Sequence, residues 1–251
     1  MKIYTVEDLS AFEKDEYGRL ICPSGDYSQI KSFDEECVFD EGCRFGEGSS
    51  FSKRCIFNAG CRFGEGSRFG KWCRFGKWCS FGKGCSFGRY CRFGKGCRFD
   101  ELCSFDEGCS FGEWCSFSKY CSFGERCSFG EGCSFDEGCS FGEWCRFGEG
   151  CSFGEWCRFG EGCNLDNNLK FENIADVVVE VLKIDRIGDR KGCTYFFKTK
   201  SEIYVRCGCF FGTIKEFENQ VKETHADNKQ YLTEYIEAIR YARIVLKGEE
   251  E

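Results

Sequence analysis

Phe occupies every sixth position from Phe33 to Phe159, and Leu165 takes the next slot. Four residues after each of these Phe stands Cys, from Cys37 to Cys163, except at Ser49 and Ser67. The unit reads Phe-Gly-x-x-Cys-x, as in Phe81-Gly-Lys-Gly-Cys-Ser, and no insertion interrupts it. A period of six is divisible by two, so Phe and Cys share one face of an extended segment. The residue between Cys and the next Phe, mostly Arg or Ser, points the other way. Gly, Asp, Asn or Ser follows each Phe, and these types tolerate the left-handed backbone of a tight turn. Each hexad is therefore expected to be a short strand plus a corner. Strands this short need stacking, which pairs each backbone group with the coil above or below.

Two features predict three hexads, 18 residues, per coil. Ser49 and Ser67 lie 18 apart and would stack on one side of a triangular coil. The third position after Phe also sorts by side. One side carries Glu36, Arg54, Trp72, Tyr90, Gly108, Arg126, Trp144 and Gly162. The other two carry mostly Gly, broken by Trp78, Trp114, Leu102, Tyr120 and Trp156.

Phe-Gly-x-x-Cys-x resembles the hexapeptide repeat of left-handed β-helix proteins, whose unit is an aliphatic residue, a small or acidic one, two variable ones, a small one and a variable one. The resemblance covers residues 33–165 and implies a mainly β fold, a left-handed parallel β-helix. Phe replaces the family's Leu, Ile or Val, so the core must hold three larger rings per coil, with small Cys neighbours making room. At about 4.8 Å per coil the rod would be roughly 35–40 Å long.

An open β-helix exposes strand edges, so both ends need covers. Residues 1–32 read as an N-terminal cap, with Thr5 opening a short helix through Phe12 and irregular chain around Pro23-Ser24-Gly25. The β-helix would span 33–168. After Asn164 the pattern changes, and 169–251 reads as a small α+β domain. Val177 to Ile184, Cys193 to Lys198 and Glu202 to Cys209 read as strands. Thr213-Ile-Lys-Glu216 is a capping-box signature for a helix to about His225, and a second helix runs from about Lys229 to Leu246. This segment resembles those that follow similar repeats in uncharacterised bacterial and phage-like proteins, a resemblance that implies no activity.

The repeat family includes many acyltransferases, which use a His base between coils and a projecting loop. Here the single His, His225, lies outside the repeat and no loop is extruded. Related metal-dependent hydratases need three His. The expectation is a chain with no catalytic residues and no cofactor. The N-terminus lacks the apolar run of a secretory signal, and no window approaches the roughly 18 apolar residues of a membrane span. A cytoplasmic protein with reduced thiols is expected. Stacked Cys would lie about 4.8 Å apart with parallel Cβ vectors, beyond the roughly 3.5–4.5 Å that disulfides prefer. They read as core filler. Cys193, Cys207, Cys209 and His225 form the better metal candidate, though their spacing is unlike common zinc modules.

The net charge of −7 is unevenly placed. Between Glu65 and Asp100 no acidic residue occurs, while the stretch holds Arg68, Lys71, Arg74, Lys77, Lys83, Arg89, Arg92, Lys95 and Arg98, interleaved with Trp72, Trp78 and Tyr90. Residues 100–162 carry 13 acids and four bases. Cations beside exposed aromatics suit a polyanion such as nucleic acid, or an acidic protein patch. The plainer reading is that these charges solvate an apolar rod. Oppositely charged bands could also pair between molecules. Bare Trp is costly, so an interface is expected. The sequence thus predicts a rigid, non-enzymatic scaffold that binds a macromolecular partner or self-associates. Two further readings are a nucleic-acid or polyanion binder through the basic aromatic band, and a bacterial or phage inhibitor that binds one protein target.

Overall fold

A computed structural model describes the chain except for residues 161–162, 165–169, 172–173, 175–177, 179, 189–191, 209 and 248–251, and except for the side chains at 185, 192 and 193. Leu165, Gly162, Cys209 and the expected strand start at Val177 lie outside the described residues. Two compact units emerge, Met1–Asn164 and Leu165–Glu251.

The first unit is a parallel β-solenoid of about eight turns, with three sides. Strands pair in register at a separation of 18 residues, the coil length expected. One side runs through Ile56, Arg74, Arg92 and Ser110. A second runs through Arg44, Arg62, Ser80 and Arg98. The third runs through Ser32, Ser50, Arg68 and Ser86. Alternate burial follows the pleat, since each Phe points inward and the Arg or Ser before it outward.

Inside, the rings form three continuous stacks. Phe81 lies 4.8 Å from Phe63 below and 4.8 Å from Phe99 above, with near-parallel planes. It meets Phe75 and Phe87 of its own coil edge-on at 5.0 Å. Each ring thus combines parallel and T-shaped contacts, and such pairs contribute about 0.5–1.5 kcal/mol beyond area burial. Cys fills the space between the rings. Its thiol donates to the carbonyl that follows a Phe one coil below, as Cys79 Sγ does to Asn58 O at 3.5 Å and Cys85 Sγ to Gly64 O at 3.4 Å. Ser49 and Ser67 sit fully buried in one column. Ser67 Oγ donates instead to a carbonyl within its own hexad, Gly64 O at 2.8 Å, and Ser49 Oγ donates both to Gly46 O of its own hexad at 2.9 Å and to Ile30 O below at 3.4 Å.

One expectation about the corners is corrected. The left-handed residue is the third after Phe, immediately before Cys, where Gly84 has φ 67° and Trp78 φ 61°. The residue directly after Phe is instead where the chain passes closest to the coil below, which favours Gly or another small residue. A Cβ on Gly64 would stand 2.5 Å from the backbone N of Glu47 in the coil below. Corner N–H groups bond upward, Trp78 N to Lys95 O at 3.0 Å, whereas strand N–H groups bond downward, Ser80 N to Cys61 O at 3.0 Å.

The solenoid begins before residue 33. Leu20–Cys22 pairs in parallel with Cys37–Phe39. Tyr27 fills the Phe slot below Phe45, stacked at 5.6 Å, and Tyr4 covers Tyr27 at 4.9 Å. Thr5 caps a helix of only four residues, Val6–Leu9. Beyond it, Ala11 N and Phe12 N close three-residue turns on Asp8 O and Leu9 O.

The second unit contains a four-stranded antiparallel meander, Glu180–Ile187, Gly192–Lys198, Ile203–Cys207 and Phe210–Thr213. Helices Ile214–Thr224 and Lys229–Lys247 share a core with it, built on Phe196, Val205, Phe217 and Ile239. The capping box at Thr213 and Glu216 is present. The fourth strand was not legible because it is four residues long and runs straight into the helix cap.

Candidate functional site

The unusual chemistry of the rod is at its corners. For L-residues the left-handed conformation costs about 1–2 kcal/mol, and Gly avoids that cost. Gly42, Gly48, Gly60 and Gly66 occupy early corners in the relaxed way, with Arg54 at φ 58° in the corner between Gly48 and Gly60. All five Trp of the chain occupy the same strained position, with φ between 58° and 61°, as do Tyr90 and Tyr120. Every one of these rings is exposed, Trp78 by 59 %. Backbone strain and exposed aromatic surface thus coincide at these positions, while Arg54, Leu102 and Arg126 share the strain without a ring.

The rings also pack along the rod. A Cβ on Gly96 would come within 2.4 Å of Trp78, and Cβ atoms on Gly108, Gly132 and Gly138 would similarly strike Tyr90, Trp114 and Tyr120. An aromatic corner therefore covers the glycine corner of the next coil. Trp72 instead meets another ring, Tyr90, stacked at 6.3 Å with planes 12° apart. Arg54 stands 5.7 Å from the Trp72 ring centre on the same corner column.

The basic aromatic band does not form one surface. Consecutive hexads lie on different sides, so it is wound around the rod. Lys71, Trp72, Arg74, Arg89, Tyr90 and Arg92 lie on or beside one side, while Lys77, Trp78, Lys95 and Arg98 belong to a second and Arg68 and Lys83 to the third. Three of these cations are paired one coil onward: Lys83 with Glu101 at 3.2 Å, Arg89 with Glu107 at 3.7 Å and Lys95 with Glu113 at 2.8 Å. The hydrogen bond and charge of Lys95 hold the Glu113 carboxyl below its ordinary range. The border between basic and acidic bands is thus zipped within the molecule. Among the described residues, Arg68, Lys71, Arg74, Lys77, Arg92 and Arg98 form no ion pair, although the charge of Lys77 reaches Glu113.

A groove of about 540 Å³ opens on the first side. Arg74 and Arg92 line it from the strands and Arg54, Trp72 and Tyr90 from the corner column, with Ile56 between them and Tyr17, Arg19 and Glu36 toward the cap. Arg19 is neutralised by Asp15 at 2.6 Å, and Arg54 is 3.9 Å from Glu36. A second hollow of about 480 Å³ is lined by Tyr120, Glu137, Gly138, Ser140, Trp156 and Arg158. The strained corner and its ring were not located from the sequence. The signal was there: that position holds Gly, Trp, Tyr, Arg or Leu after Glu36 and no β-branched residue.

The thiol ladders are buried, with Cys163 at the end of the rod only partly so, and no disulfide joins cysteines among the described residues. A hydrogen bond that the Cys145 thiol donates to Cys127, and then burial, pushes its pKa up to about 12. That thiol stays protonated and shielded at neutral pH. Of the metal candidate, Cys209 and the Cys193 side chain lie outside the described residues. Cys207 Sγ accepts from Thr194 Oγ1 at 3.2 Å, and the His225 ring stacks on Tyr235 at 5.2 Å. No cluster of metal-binding side chains occurs among the described residues, and no described helix is long and apolar enough to cross a membrane.

Fold and surface define the class of this chain as a parallel β-solenoid with aromatic corners. No protein-family model, curated protein or solved structure matches it.

Proposed function

We propose that the chain is a non-enzymatic interaction scaffold, a rigid solenoid whose corner aromatics bind a macromolecular partner or a second copy. The observation that carries this reading is the placement of all five Trp at exposed, left-handed corners where Gly would be unstrained. A stacked rod presents side chains at a fixed interval of about 4.8 Å, and a rigid surface loses little further entropy on binding. Kinship with hexapeptide-repeat β-helix proteins, and with it the left hand of the coil, belongs to the same reading and rests on the similarity of the repeat unit. So does a reducing, cytoplasmic setting, because ladders of free thiols persist there.

Native mass spectrometry of the reduced full chain at low salt tests it. The wild type should appear as an oligomer or carry bound mass, and Trp78→Gly/Trp114→Gly/Trp156→Gly should run as a bare, folded monomer. The same assembly state in both proteins would contradict the reading.

A further inference from the structure

The groove beside Trp72 and Tyr90 combines two features that ordinary solvation of a rod does not require. The first is a charge arrangement. Arg74 and Arg92 are direct partners in the parallel ladder, one coil apart. Like charges opposite each other in a sheet are unfavourable, and among the described residues neither guanidinium has a carboxylate within ion-pair range. The adjoining ladder positions are uncharged, Ile56 below and Ser110 above. The second feature is the ring pair, Trp72 against Tyr90, fixed at φ 61° and 60° on the neighbouring corner and lining the same groove.

Spacing selects among anions. The two Arg Cα atoms are one coil apart, about 4.8 Å. Same-face side chains of an extended acidic peptide recur every ~6.6–6.8 Å, which does not match that interval. Two guanidinium forks so close suit one tetrahedral anion that accepts from both, and Arg forks match phosphate oxygens in bidentate geometry. Aromatic side chains next to such a clamp are the usual platform for a nucleobase. The groove volume of about 540 Å³ falls within the roughly 300–1,000 Å³ of small-ligand sites.

We propose that this groove binds a nucleotide, with the phosphate between Arg74 and Arg92 and the base against Trp72 and Tyr90. The nucleotide is either free or one unit of a single-stranded nucleic acid. This deepens the scaffold reading, since it assigns a ligand to one aromatic column of the same rod.

Isothermal titration of the reduced full chain in about 50 mM salt, with adenosine monophosphate and separately with an adenine decanucleotide, tests the assignment. Saturable binding is expected for at least one probe. The monophosphate arm alone identifies a free-nucleotide site, and binding of the decanucleotide alone identifies a single-strand site. Arg74→Ser/Arg92→Ser should weaken binding at least about tenfold, as loss of charge-assisted contacts requires. Ser already stands at this position in Ser110 and Ser128, so that variant keeps a residue the rod accepts. Arg68→Ser/Arg98→Ser removes the same charge from the other two sides and should change affinity less than about twofold. Trp72→Gly should weaken the nucleotide but leave inorganic phosphate unaffected. No saturable binding of either probe overturns the proposal. An equal loss in the Arg68→Ser/Arg98→Ser control, or equal competition by polyglutamate, overturns it as well. If nucleotide binding fails while the corner Trp→Gly variants still lose their assembly state, only the nucleotide assignment falls.

Discussion

The six-membered ring of Trp78 occupies the space that a Cβ on Gly96 would need, with Cε3 and Cζ3 both 2.4 Å from that position. Gly96 is buried beneath it, whereas Gly84, at φ 67°, has nothing within 4 Å of its own would-be Cβ. The two corners share a backbone and differ in the ring that covers one of them.

That difference separates strain from packing. Gly84→Ala should cost about 1–2 kcal/mol, the left-handed penalty alone. Gly96→Ala should cost more, because it also displaces the indole. In a Trp78→Gly background the excess should vanish, which a double-mutant cycle of equilibrium unfolding measures directly. Equal costs for both glycines would mean that the ring does not pack there.

A core ring in mid-rod is a different case. Phe99 is almost fully buried and stacked between Phe81 and Phe117 at 4.8 and 4.7 Å. Phe99→Ala should destabilise by about 3–5 kcal/mol. Contacts in a stacked array reach only nearest neighbours, so amide exchange should rise most in the adjoining coils and least at the far ends. A uniform rise along the rod would contradict this.

Stability should also fall with alkali. The folded Cys145 thiol is pushed up to about 12, against about 8.5 for an unfolded Cys. The folded state therefore holds a proton that the unfolded state releases. This stabilisation is complete below pH ~8.5 and is lost as pH rises toward the folded value, by about 1.4 kcal/mol per pH unit for this thiol. Unfolding midpoints from pH 7 to 10 in reductant check the sign. A midpoint that rises over this range would contradict a protonated Cys145 thiol.

The solenoid was legible because Phe and Cys recur without slippage, and because Ser49 and Ser67 mark one side 18 residues apart. The corner was not. A Gly favoured by close approach, as at Gly64, looks the same in sequence as one required by positive φ, as at Gly66. Of the candidate site, the Trp72–Tyr90 column followed from the 18-residue coil, while the cations were legible only as a list of residue types. A run of cations from Arg68 to Arg98 is continuous along the chain, but a three-sided coil sends neighbouring hexads to different sides. Only the 18-residue register brings Arg74 to Arg92 and Trp72 to Tyr90. The pairing of Lys83, Arg89 and Lys95 with acids one coil onward follows from the same register and removes them from the free charge of the band.

Equilibrium unfolding of Trp78→Gly asks most directly whether the corner aromatics serve an interface instead of the fold. With Trp78 59 % exposed, about 100 Å² of its surface is covered, worth at most about 2.5 kcal/mol. Release of the left-handed strain returns about 1–2 kcal/mol. The account predicts a stability within about 1 kcal/mol of the wild type. A loss of about 3 kcal/mol or more, as for a truncated core aromatic, would show that the ring is there to hold the rod together and would contradict it.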